Sequence, residues 1–208
     1  IRAALHAMLG PEAGLGITDP RDPEQGLLEP ELPAISGAVP KRRREFSAGR
    51  RAARAAMVEL GLPPAPIPVG AQRAPLWPQG LVGSIAHCDT LCIAAVSRTH
   101  RCLGLDIELA TPLAPDLEEI ICTPSERAWL DTLPPETRGL RAKQIFSAKE
   151  AFYKAQYPLT GRMIGFDEVE LRFEREQGLS WDRFSASLMP CEIRTAQADD
   201  MILALCHS

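Results

Sequence analysis

The chain has 208 residues, 45% of them hydrophobic and 24% charged, with a formal net charge of −4. This length suits one domain or two small lobes sharing a core, and the composition excludes a disordered chain. The apolar runs are strand-sized, against the roughly 20 residues that a membrane-spanning helix needs, and the acidic balance argues against a general nucleic-acid binder.

The first forty residues are rich in Pro, Gly and acids and read mainly as loop, with a weak strand or helix before Leu9. Between Lys41 and Arg54 lie seven basic residues and one acid, Glu45, a local charge of +6 that leaves −10 on the remainder. Such a block on an acidic protein points to one anionic ligand or partner. It opens a helix predicted over residues 42–60, in which Phe46, Ala53, Met57 and Leu60 recur at helical spacing and Gly61 and Pro63 form the stop. Six prolines in residues 61–78 make an extended connection that cannot be a central strand. Strand-like runs follow at 81–87, 91–96 and 102–108, the first two joined by a hairpin at Cys88-Asp89-Thr90. Helices are predicted at 125–130 and 137–156, the second closed by Pro158 and Gly161, and then strands at 168–173, 183–188 and 201–206. A helix followed by three strands thus occurs twice. The recurrence predicts an α+β chain of two halves, residues 1–102 and 103–208, with a site where they meet.

Six cysteines without an export signal read as free thiols, and the visible N-terminus lacks the order of a signal peptide, which sets a cytoplasmic location as the expectation. His87, Cys88, Cys92, His100 and Cys102 cluster in sequence, but their spacing matches no zinc template.

Four segments carry chemistry. In Gly104-Leu105-Asp106-Ile107-Glu108 the two carboxylates stand at i and i+2, on one face of a strand whose other face is apolar. Two like charges this close call for a cation or for good solvation, and a hard divalent ion takes such donors. On the second long helix, Phe146-Ser147-Ala148-Lys149-Glu150-Ala151-Phe152-Tyr153-Lys154 puts Glu150 and Lys154 on one face. They form either a surface ion pair or a third metal carboxylate with an ammonium one turn away. Gly83-Ser84-Ile85-Ala86-His87-Cys88 ends a strand with a histidine, and Arg73-Ala74-Pro75-Leu76-Trp77-Pro78 offers an arginine on a proline-stiffened arm.

Taken in order, the basic helix, R-x-P-x-W-P, G-S-I-x-H-C, G-L-D-I-E and F-S-A-K-E-A-x-x-K resemble the 4′-phosphopantetheinyl transferases of the surfactin-type group, most closely the enterobactin-synthase branch. The resemblance runs from about residue 41 to about 170. It implies a pseudo-twofold α+β fold of two similar halves, each with a long helix and a three-stranded, mainly antiparallel sheet. It also implies a holo-carrier-protein synthase, which moves the phosphopantetheine arm of coenzyme A onto a serine of an acyl or peptidyl carrier protein and releases adenosine 3′,5′-bisphosphate. By similarity Asp106, Glu108 and Glu150 would hold Mg²⁺, Glu150 would accept the serine proton, and Lys154 would neutralise the leaving phosphate. His87, Arg50 and Arg73 would contact coenzyme A. Partners would be coenzyme A and the carrier, without nucleic acid or membrane, and the chain would act as a monomer. Two departures stand out: Ala86 replaces a common Ser before the histidine, and Phe146 replaces a common Trp. Two other functions compete, a Mg²⁺-dependent coenzyme A or nucleotide pyrophosphohydrolase and a non-enzymatic carrier-binding module. The chain has no R-E-x-x-E-E helix of the common hydrolase type.

Overall fold

The computed structural model describes residues 1–174 and 182–208. Two antiparallel sheets, each covered by one long helix, build the α+β fold. The first has the order β1-β3-β2, from β1 (Ala13–Thr18), β2 (Val82–His87) and β3 (Cys92–Ser97), and α2 (Pro40–Glu59) packs across it. The second has the order β4-β8-β7-β6-β5. Its strands are β4 (Leu103–Leu109), β5 (Leu171–Glu174), β6 (Asp182–Ala186), β7 (Glu192–Ala198) and β8 (Met201–His207). The helix α5 (Pro135–Thr160) lies against β4 and β8. Shorter helices are α1 (Arg2–Leu9), α3 (Pro115–Ile121) and α4 (Pro124–Leu130).

The two halves meet at their sheet edges. On β2 the Ser84 hydroxyl accepts the Leu105 N–H of β4 at 2.9 Å, which ties one edge strand to the other where the ladders stop. A shared apolar core lies beneath this seam, where Leu5, Met8, Leu15 and Ile93 of the first half meet Leu105, Ile107, Leu203 and Leu205 of the second. Because β4 also faces α5, it is buried on both sides, and its seven residues have little contact with water before Glu108.

Small residues let each helix approach its sheet closely. Ala48, Ala52, Ala53 and Ala56 form the buried stripe of α2, and a Cβ on Gly16 of β1 would overlap the Ala52 carbonyl oxygen. The second half repeats the device: a Cβ on Gly104 would overlap the Ala151 carbonyl oxygen of α5. Neither obstacle is a flexible side chain, so relief requires moving a whole helix. Gly104→Ala is therefore expected to destabilise the protein by about 3 kcal/mol, at the upper end for overpacking. Equilibrium urea unfolding should show this as a lower midpoint at an unchanged slope.

Several expectations are corrected. The element expected before Leu9 is the helix α1, but the stretch after it, read as loop, holds the strand β1, whose two glycines the approach of α2 requires. Among the described residues the second sheet has five strands instead of three. The run at residues 102–108 pairs with β8, and β7, whose Ile193 and Thr195 alternate inward among polar residues, gives too weak an apolar signal to predict. All six cysteines are free, four of them buried. Among the described residues no helix is long and apolar enough to cross a membrane.

Candidate active site

At the seam lies a cavity of about 240 Å³, and both halves contribute to it. From the first half come Arg42, Glu45, Phe46 and Arg50 of α2, Arg73 of the connecting arm, and Ser84 and His87 of β2; from the second come Tyr153, Lys154 and Tyr157 of α5. The fold thus brings Arg50, Arg73, His87 and Lys154 around one cavity from segments up to 104 positions apart.

Arg50 is the most enclosed of these cations. Its Nε donates to the Ile67 carbonyl at 2.7 Å, and the guanidinium lies 4.0 Å over the Phe46 ring. Burial, offset in part by Glu31, brings its pKa down to about 10, so it stays charged at neutral pH. Arg73 and its neighbour Gln72 hold φ of 63° and 50°, in the left-handed region, at a cost on the order of 1 kcal/mol each. His87 stands at the exposed end of β2, where packing around the ring, together with Arg42 and Lys154, holds its pKa below the usual histidine value.

The carboxylates occupy the α5 side of β4. Asp106 is buried, with Oδ1 accepting from Lys154 Nζ at 2.7 Å and Oδ2 from the Ser147 hydroxyl at 2.8 Å. Glu108 is half-buried and accepts from Lys143 Nζ at 3.4 Å. Burial, and next the Asp106 charge, raises the Glu108 pKa. Glu150 is raised as well, mainly by burial; Lys154 opposes the shift, and Asp106 and Glu108 add to it. The three acids therefore sense one another. Among the described residues, however, no group of three His, Cys, Asp or Glu side chains is drawn together at metal-binding spacing, the zinc cluster weighed from sequence included.

Two alternatives from the sequence are overturned. The D-x-E strand is no exposed edge with solvated acids, and Lys154 makes its ion pair with Asp106, 48 positions away, instead of with Glu150 one turn back. Phe146 packs against Phe166, with ring centroids 5.8 Å apart. The basic block is also less free than its count suggests. Arg43, Arg51 and Arg54 pair with Glu24, Asp22 and Glu31 of the N-terminal segment, which leaves Arg42 and Arg50 at the cavity.

The sequence reading missed Ser147, Lys143, Tyr153 and Tyr157. Ser147 had a legible signal, since it precedes Lys154 by two helical turns and shares its face. Glu45, the one acid of the basic block, lines the cavity and lies 3.7 Å from Arg42.

Comparison with known proteins bears directly on this seam. Residues 29–97 match the family model described as the 4′-phosphopantetheinyl transferase N-terminal domain, and residues 102–206 match that of the 4′-phosphopantetheinyl transferase superfamily. The chain is 44% identical to the 4′-phosphopantetheinyl transferase Svp of Streptomyces mobaraensis, over 77% of this chain and 67% of that protein. It is 39% identical to PptT of Mycobacterium tuberculosis, over 78% of this chain and 72% of the relative. Enterobactin synthase component D of Salmonella typhimurium is 40% identical over 62% of this chain and 54% of its own length. One match ends where the first sheet ends and the other begins at β4, so the cavity lies where the two matched regions meet. On that basis the chain belongs to the 4′-phosphopantetheinyl transferase superfamily and is an enzyme of that class.

Proposed function

We propose that this enzyme transfers the 4′-phosphopantetheine arm of coenzyme A to a serine of an acyl or peptidyl carrier protein, with Mg²⁺ as cofactor. The observation that carries the reading is the meeting of opposite charges at the seam. A cavity lined by Arg42, Arg50, Arg73, His87 and Lys154 adjoins the carboxylates of β4 and α5 through the Lys154–Asp106 pair. A polyanion such as coenzyme A matches the cationic lining, and charge-assisted contacts to phosphate are among the stronger polar interactions.

Asp106, Glu108 and Glu150 would hold the metal. The donor set suits Mg²⁺ in kind, since all three are hard carboxylates, and the burial and like charge that raise the pKa of Glu108 and Glu150 are costs that a bound cation would offset. When bound, the ion would withdraw negative charge from the diphosphate. The serine Oγ attacks the phosphorus that carries the pantetheine. The bond from that phosphorus to the bridging oxygen breaks, and adenosine 3′,5′-bisphosphate leaves. Glu150, with its raised pKa, is suited to take the serine proton. Lys154 sits between the cavity and Asp106, where its ammonium can neutralise charge on the leaving phosphate. Arg50 and Arg73 hold the remaining phosphates from the opposite wall, and His87 adds a ring N–H donor.

The resemblance of its motifs to the enterobactin-synthase branch makes a peptidyl carrier of a siderophore synthetase the first acceptor to assay. An apo-carrier incubated with the enzyme, coenzyme A and Mg²⁺ should gain the mass of one phosphopantetheine and release one bisphosphate. Hydrolysed coenzyme A with an unmodified carrier, across a panel of peptidyl and acyl carriers, would replace this reading with that of a pyrophosphohydrolase.

A further inference from the structure

We propose that Glu31, which does not line the cavity, is a positioning residue for coenzyme A binding because it holds Arg50 in place through the Ile67 backbone. The inference rests on the assignment of Arg50 to a coenzyme A phosphate made above.

Glu31 lies in the N-terminal segment that the sequence motifs leave without a role, on a single 3₁₀ stretch from Glu29 to Ile35. Its side chain is fully buried, and both oxygens are engaged. Oε1 accepts from Arg54 Nη1 at 2.7 Å and from the Ile67 N–H at 2.9 Å, while Oε2 accepts from the Leu28 N–H at 2.9 Å. A buried ion pair is a weak source of net stability, because removing both charges from water offsets most of their attraction. An apolar side chain could fill the same space. What the carboxylate adds is a fixed acceptor for one particular N–H.

That N–H is the only backbone donor in Pro66-Ile67-Pro68, since proline has none. Pro68 also restricts the backbone of the residue before it, so the Ile67 N–H and carbonyl move together as one stiff unit. The Ile67 side chain is fully buried against α2 and β3, which pins the unit from its other side. The carbonyl of this unit receives Arg50 Nε at 2.7 Å, leaving the other guanidinium nitrogens for the cavity. The chain of contacts therefore runs from a buried acid to a stiff peptide and on to the arginine. Without Glu31 the Ile67 N–H loses its partner, its carbonyl shifts, and Arg50 loses the bond that sets its rotamer.

The test is a double-mutant cycle read by calorimetric coenzyme A binding on wild type, Glu31→Met, Arg50→Ala and the double variant, each checked for folding by circular dichroism. Methionine fills the space of the glutamate and offers the Ile67 N–H no oxygen acceptor, whereas glutamine would still accept it. Glu31→Met is expected to weaken coenzyme A about five- to tenfold. Its kcat at saturating coenzyme A should stay within about twofold, as for a change confined to ground-state and transition-state binding alike. In the Arg50→Ala background the same substitution should cost less than about twofold, because its route to the ligand is gone. A purely structural role would instead give the same loss in both backgrounds, and that result overturns the proposal. So does wild-type affinity in Glu31→Met while Arg50→Ala binds weakly. Unchanged affinity in Arg50→Ala would instead overturn the assignment of Arg50 to a phosphate. If Glu31→Met is recovered unfolded, Glu31→Asp, which keeps the charge but shortens its reach, runs the same cycle with the same outcomes.

Discussion

Asp106→Asn is expected to lower kcat/KM by roughly a thousandfold while the protein remains folded. Asparagine keeps the shape of the buried side chain and still accepts the Ser147 hydroxyl, so the contact of β4 with α5 survives. It gives up the negative charge that faces Lys154 and that would bind the metal. Lys154 is 28% exposed at its side chain and can turn to water, so it is not left as a stranded buried charge. Alanine is the poorer test here, since it would empty a buried site and confuse instability with lost chemistry. Steady-state kinetics on an apo-carrier, beside a thermal melt, separates the two. Near wild-type turnover in a folded Asp106→Asn protein would remove Asp106 from the chemistry.

Lys149→Met is expected to destabilise the protein by about 3 to 5 kcal/mol, the range for breaking one side of a buried ion pair. Lys149 stands next to Glu150 in the F-S-A-K-E-A motif, yet it turns away from the cavity into the second half. Its Nζ is 2.7 Å from Glu126 and donates to the carbonyls of Ile121 and Phe166 at 2.8 Å each. Glu126 in turn accepts the N–H groups of Thr123 and Leu171, so one buried pair joins α4, α5, the end of α3 and β5. Methionine preserves the length of the stem and removes the charge, leaving Glu126 buried opposite nothing positive. Urea unfolding should show the loss directly. The double variant Lys149→Met with Glu126→Gln should recover a substantial part of it, because no uncompensated charge is then left inside. A Lys149→Met midpoint equal to that of wild type would mean that the pair carries no net stability.

These two residues show how far local pattern reaches. The spacing in G-L-D-I-E places Asp106 and Glu108 on one face of β4, and the structure has that face turned to α5. The spacing in K-E-A-x-x-K places Glu150 and Lys154 on one face of α5: Lys154 lines the cavity, and Glu150 lies close enough to Asp106 and Glu108 to feel their charge. Strand and helix periods are local properties of the backbone, and a few residues suffice to display them. The partners were not legible. Lys154 with Asp106, Lys149 with Glu126 and Glu31 with Arg54 are separated by more than twenty positions each. No periodicity links such pairs, and a neighbouring opposite charge, such as Glu150 beside Lys154, suggests the wrong one.

By itself, then, the sequence determined two halves, two long helices, the strand bearing the carboxylates and the helix bearing Glu150 and Lys154, because these follow from hydrophobic period, proline and glycine stops, and motif spelling. Only the tertiary structure decided that β4 joins β8 instead of β3, that the glycine-rich residues 13–18 are a strand beneath α2, and that the N-terminal acids neutralise much of the basic block. Each of these depends on long-range packing. A glycine that marks a turn in isolation becomes the position where a helix backbone can touch a sheet, and an acid that looks solvated becomes a buried anchor once an arginine from another segment closes over it.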